Sequence, residues 1–129
     1  RVPVKLVTMN ELLKQADAIS LHVPSQKDGR PVLGTAELGA VKPGVVIVNT
    51  ARGGSVDEDA LLKALKDGRV RGAALDVFVG EPEPREDLLT EPNLSLSPHI
   101  GAATAEAQSR VGDELAEQII SWRSTVDVG

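Results

Sequence analysis

The chain has 129 residues, 14 Lys and Arg against 19 Asp and Glu, and no cysteine, the size of one ordinary domain or of part of one. A net charge of -5 and 2% aromatic residues exclude a nucleic-acid partner, because phosphate neutralisation needs excess Lys and Arg and single-strand readers need stacking platforms. Without thiols there is no disulfide framework, and two histidines do not build a typical zinc centre, so no metal is expected; no apolar run nears the roughly 20 residues of a membrane span, so no membrane partner and a cytoplasmic location are expected.

In chain order, short Val- and Ile-rich runs alternate with segments of helical spacing, the pattern of parallel strands joined by crossover helices, which makes the fold class α/β. Val4 to Val7 reads as a weak first strand. Asn10 caps a helix carrying Leu12, Leu13 and Ala16, and Ala18 to Val23 is a buried-type strand closed by Pro24. A polar loop from Ser25 to Arg30 and a short helix around Thr35 to Ala40 precede the turn Lys42-Pro43-Gly44 and the strand Val45 to Asn49. Asp57 caps a helix through Lys66, with Leu61, Leu62 and Leu65 on one face and Gly68 as terminator. Strand Ala73 to Val77, an acidic Pro-rich loop from Gly80 to Asp87, and strand Leu94 to Ser97 follow. Thr104 caps a last helix whose Ala107, Val111, Leu115, Ile119 and Trp122 form an apolar stripe.

In an open parallel sheet the loops leaving the strand C-termini gather on one edge, where ligands bind. Arg52, Asp76, Glu81 and His99 all close or follow such strands. A guanidinium fork clamps a carboxylate, and an imidazole partnered by a carboxylate exchanges a proton with its tautomer fixed. Each residue alone also has a plainer reading. Arg52 braces a loop, Glu81 is solvated, and His99 packs in a turn. Asp76, inside an apolar strand, needs a partner or a solvent-facing strand end because an unpaired buried carboxylate is costly, and its plainer reading is to brace a loop. His22 reads as a structural, hydrogen-bonded histidine. Ser97, His99 and Asp76 do not make a serine hydrolase, since no Gly-x-Ser-x-Gly elbow exists.

The segments Val48-Asn49-Thr50-Ala51-Arg52-Gly53-Gly54, Ala74-Leu75-Asp76-Val77-Phe78 with Glu81-Pro82, and Ser97-Pro98-His99-Ile100-Gly101-Ala102 closely resemble the D-isomer-specific 2-hydroxyacid dehydrogenases. The resemblance runs from about Val4 to Trp122, and Ala103-Thr104-Ala105-Glu106-Ala107-Gln108 looks most like the phosphoglycerate dehydrogenase branch. It implies an enzyme moving a hydride between NAD and the 2-carbon of a D-2-hydroxy acid, with 3-phosphoglycerate as the leading substrate and glyoxylate, hydroxypyruvate or lactate as alternatives. By resemblance Arg52 holds the substrate carboxylate, His99 exchanges the proton at the 2-oxygen, and Glu81 pairs with His99. Asp76 contacts the nicotinamide amide, and the backbone of Thr50, Ala51, Arg52, His99, Ile100, Gly101 and Ala102, with Val23 near the adenosine half, completes the NAD surface.

The family's Gly-x-Gly-x-x-Gly pyrophosphate turn is not found, and Gly29 to Gly34 continues with Thr35, so it is no phosphate loop. The chain is therefore expected to be the C-terminal part of a Rossmann-type, doubly wound NAD-binding domain, residues 1–123 with a frayed tail at 124–129, lacking its first βαβ segment. Alone it is expected to be inactive. Strand Ala18 to Val23 is expected to expose a parallel edge and drive self-association, so a homo-oligomer is anticipated. A rival from another class is an NAD-sensing corepressor that keeps the same site. A receiver-like signalling domain wants an acid cluster and a lysine that cannot be placed here.

Overall fold

Four short runs pair in parallel, each with the next, in the order β1 (Ala18–Leu21), β2 (Val45–Asn49), β3 (Val70–Leu75) and β4 (Leu94–Leu96). The computed structural model describes residues 4–101 and 103–125, which divide into two compact units, one through Pro98 and one from His99. The first holds the sheet, α1 (Met9–Gln15), α2 (Thr35–Ala40), α3 (Glu58–Lys66) and α4 (Glu86–Thr90); the second holds α5 (Ala105–Thr125).

Parallel partners share a face, so the register sorts the strands into two surfaces. Ile19, Ile47 and Ala73 lie in one cross-strand row and Leu21, Asn49, Leu75 and Leu96 in another. These rows pack with Leu13 of α1, Leu38 of α2 and Leu61 and Leu65 of α3 in one core. Leu61 and Ile47 are fully buried, each contributing about 1.5–3 kcal/mol by removal from water. The opposite face carries the smaller Ser20, Val48, Ala74 and Ser95, half-buried or exposed.

Helix α3 starts where its sequence says, with the Asp57 carboxylate accepting the Ala60 N–H at 3.0 Å, and it ends at Gly68, φ 71°. The strand β2 and the helix α2 also match their expected bounds. Other expectations need correction. Val4 to Val7 is not a strand: it joins no sheet, and Val4 and Leu6 are 87% and 93% exposed. Thr8, not Asn10, caps α1, because Glu11 stands three residues on and closes a reciprocal capping box. Strand β1 stops at Leu21, leaving His22 and Val23 beyond its end. Strand β3 begins at Val70 and ends before Asp76; the pairing skips from Val45↔Val70 to Val46↔Gly72, so Arg71 is an extra, exposed residue that breaks the apolar alternation. The end of the acidic loop forms α4, a helix too short to show a 3.6-residue period, seated by the buried Leu88.

In the second unit the Thr104 hydroxyl accepts the Ala107 N–H at 3.1 Å and caps α5 as expected. The helix continues to Thr125, past the expected boundary, and residues 126–129 of the anticipated tail lie outside the described residues. Its stripe is exposed, Val111 by 59% and Trp122 by 67%. Among the described residues no helix is long and apolar enough to cross a membrane.

Among the described residues β1 has β2 as its one neighbour in the sheet. The Asp17 carbonyl accepts the Val46 N–H, so by alternation the peptide groups of Ala18 and Ser20 point to the open edge. Ser20→Pro therefore removes an outward N–H without costing a β1–β2 bond. The purified 129-residue chain is expected to self-associate, and this variant to shift it towards monomer in sedimentation velocity; equal association of both would exclude β1 as the contact.

Candidate functional site

The four strands end level. Leu21, Asn49, Leu75 and Leu96 are successive cross-strand partners, so the first residues past the edge are His22, Thr50, Asp76 and Ser97, all polar. The sheet thus delivers a row of hydrogen-bonding side chains to its C-terminal edge.

Asn49, 1% exposed, organises the turn after β2. Its side-chain oxygen accepts the Ala51 N–H at 3.1 Å and its amide donates to the Arg52 carbonyl at 3.0 Å. The Asn49 carbonyl in turn accepts the Asp76 N–H at 2.9 Å, joining the ends of β2 and β3. Arg52 is held at its backbone while its exposed guanidinium spends one N–H on the Ala51 carbonyl, at 2.6 Å, leaving further donors of the fork for a carboxylate. Val23, Thr50, Ala51 and Arg52 come together with His22 and Pro24 around one open groove. His22 bonds Ser20 Oγ through Nε2 at 2.8 Å and is exposed at the strand end, so it is hydrogen-bonded as expected though not inside an apolar strand.

Asp76 has its partner: Ser97 Oγ donates to Asp76 Oδ1 at 2.6 Å, and the pair is part-buried. Glu81 accepts the Phe78 N–H through Oε1 at 2.9 Å, and its bond to Pro82 is cis. Gly53 lies against the same stretch so closely that a Cβ would stand 2.3 Å from the Phe78 carbonyl oxygen. The Arg52 turn and the start of the Glu81 loop are in backbone contact. Beyond Glu81, Arg85 pairs with Asp87 and Asp59, which raise its guanidinium above the ordinary value, while Arg85 holds the Asp87 carboxyl below its own.

His99 opens the second unit in the left-handed region, φ 54°, a conformation uncommon for a residue with a Cβ. Ile100 and Gly101 follow in an exposed turn whose Ala103 N–H donates to the Ile100 carbonyl, and Ala102 lies outside the described residues. Sequence reasoning did not single out Asn49 as a turn organiser or Ser97 as the partner of Asp76. An amide at the end of a Val/Ile strand was the available signal for the first.

The family model for the D-isomer specific 2-hydroxyacid dehydrogenase, NAD binding domain, matches residues 1–101. The chain belongs to this family. It is 49% identical over 121 residues to the hydroxypyruvate reductase of Thermotoga maritima, covering 92% of this chain and 40% of that protein. It is 50% identical over 111 residues to the D-3-phosphoglycerate dehydrogenase of Methanocaldococcus jannaschii, covering 86% of this chain and 21% of that protein. A solved glyoxylate reductase from Paecilomyes thermophila superposes with a TM-score of 0.75 at 45% identity, over 81% of this chain and 32% of that one. The domain is a Rossmann-like NAD-binding domain, and the chain spans well under half the length of these relatives.

The groove chemistry fits part of the dinucleotide. Apolar Val23 and Pro24 beside the Thr50 hydroxyl and the Ala51 and Arg52 backbone suit a flat ring and its ribose. The pyrophosphate turn is not in this sequence.

Two substitutions test the edge. Asn49→Ala orphans the Ala51 N–H and takes one of two donors from the Arg52 carbonyl, which keeps the Ser55 N–H, and is expected to cost about 1–3 kcal/mol in a urea melt. Gly53→Ala forces its new methyl into the Phe78 carbonyl and is expected to cost about 1–3 kcal/mol by overpacking. An unchanged midpoint in either would show that the contact is not holding the turn.

Proposed function

We propose that the intact protein bearing this chain is an NAD-dependent oxidoreductase that interconverts a D-2-hydroxy acid and its 2-keto acid. What carries the reading is Arg52: an exposed guanidinium fixed at its backbone on the sheet edge, beside a groove suited to a flat ring and ribose of the dinucleotide, in a member of this family. When bound, the cofactor supplies the hydride acceptor or donor at the 2-carbon.

Arg52 binds the substrate carboxylate bidentately and orients the 2-carbon. In oxidation His99, as neutral imidazole, takes the proton from the 2-hydroxyl oxygen; in reduction it returns it as imidazolium. Glu81 fixes the tautomer of His99 and supports its charged form. Asp76, held by Ser97, presents a carboxylate to the carboxamide of the cofactor. Val23, Thr50, Ala51, Ile100, Gly101 and Ala102 serve as the remaining cofactor surface.

We take 3-phosphoglycerate as the leading substrate, oxidised to 3-phosphohydroxypyruvate on the way to serine. Relatives named D-3-phosphoglycerate dehydrogenase support this, the Methanocaldococcus protein at 50% identity and the Archaeoglobus fulgidus protein at 45% across 99% of this chain. The Thermotoga and Paecilomyes relatives favour a second reading, a hydroxypyruvate or glyoxylate reductase.

A substrate panel on the full-length protein separates the two readings. In it, His99→Ala is expected to lower kcat about 100- to 10,000-fold, as loss of a general acid–base does. Arg52→Ala is expected to raise KM for the keto acid as well as lower kcat. Unchanged kinetics in both variants would remove the assignment.

A further inference from the structure

Glu58 is a charged residue that the reaction above does not use, yet it is 7% exposed. Burying a carboxylate is costly without compensation, so its contacts show what it is for. It is the first residue of α3, next to the Asp57 cap. Its Oε1 accepts the Val79 N–H at 2.7 Å, from a residue 21 positions away, and its Oε2 stands 4.0 Å from Arg85 Nη1.

Both contacts fall on the segment that carries Glu81. Val79 lies two residues before Glu81 and Arg85 four after it. The same segment is seated on α3 by Phe78 and Leu88, which pack on Leu62. These apolar contacts lie at its ends. Between them Gly80, φ 84°, forms a turn in which its carbonyl accepts the Glu83 N–H, and this bond, like that from the Phe78 N–H to Glu81, is internal to the segment. The bond from Glu58 fastens the stretch directly before Glu81 to the first turn of a helix whose Leu61, Leu62 and Leu65 are buried.

From this geometry we infer that Glu58 is a positioning residue for Glu81, fixing the loop from α3 so that the Glu81 carboxylate is held in place for proton transfer. The inference rests on the proposed function, in which Glu81 supports the general acid–base. Arg85 assists as a positive charge 4.0 Å from the second oxygen of Glu58, while it pairs closely with Asp59 and Asp87.

A double-mutant cycle on the full-length enzyme with NADH and its keto acid tests this, because residues acting through one another are not additive. Glu58→Ala is expected to lower kcat about 10- to 100-fold with KM for the keto acid changed less than about twofold. Glu58→Gln keeps an acceptor for the Val79 N–H and is expected to restore kcat to within about threefold. In a Glu81→Gln background, Glu58→Ala is expected to cost less than about twofold more.

A loss from Glu58→Ala that is the same in both backgrounds, or that falls on KM, overturns the positioning role and leaves the proposed function standing. If Glu81→Gln alone leaves kcat unchanged, the role given to Glu81 fails and takes this inference with it. Should Glu58→Ala not fold, Arg85→Gln, at an exposed side chain, takes its place in the cycle. It is expected to show a smaller kcat loss with the same non-additivity, and an additive loss or none overturns the inference.

Discussion

The buried amide of Asn49 is the constraint on which the candidate site depends. One residue at the end of β2 holds the Ala51 N–H, the Arg52 carbonyl and, through its own backbone, the Asp76 N–H. The Ala51 N–H, in a buried residue, would cost about 1–3 kcal/mol if left unmatched, so the turn has few alternatives. A hydrophobic residue of the same size would fill the space and release all of the side-chain bonds. The strand is thus apolar until the residue where its geometry must be handed to a loop.

The level ending of the four strands gives that handover its breadth. With Leu21, Asn49, Leu75 and Leu96 in one row, four chain directions change at one height, and His22, Thr50, Asp76 and Ser97 emerge side by side along the edge. Asp76 meets Ser97 because their strands are neighbours, not because of anything in their immediate sequence. Helix α3 then serves as the bracket beneath the loop after β3. Leu62 seats Phe78 and Leu88, and Glu58 reaches Val79. Gly53 allows the two loops to touch at the backbone.

What could be read from the sequence was whatever is local. Strand β2 is an unbroken apolar run, and α3 announces itself by Asp57, three leucines on one face and Gly68, so both were legible to the residue. Val4 to Val7 has the same composition as a strand but no neighbour, and pairing decides. Strand β3 was misread because the bulge at Arg71 breaks alternation at its start, and α4 because five residues show no period. For the site, Arg52, Asp76 and Glu81 were visible as chemistry out of place at strand ends, and the motifs named the family. Ser97 and Glu58 were not visible in their roles, since each acts on a partner 21 residues away. Such separations leave no mark on periodicity.

The proposed reaction divides its demands between two kinds of support. Binding a carboxylate is needed equally in the ground and transition states, and Arg52 rests on a turn tied to a central strand. Proton transfer needs its groups placed within a fraction of an ångström only as the barrier is crossed, and Glu81 rests on a loop fastened by individual side-chain contacts. Substitutions in the loop therefore act on rate, and substitutions in the β2 turn act on affinity and stability together. The same division explains why a costly buried carboxylate is tolerated at the start of α3. An apolar residue there would pack as well and leave the Val79 N–H without the acceptor that ties it to α3.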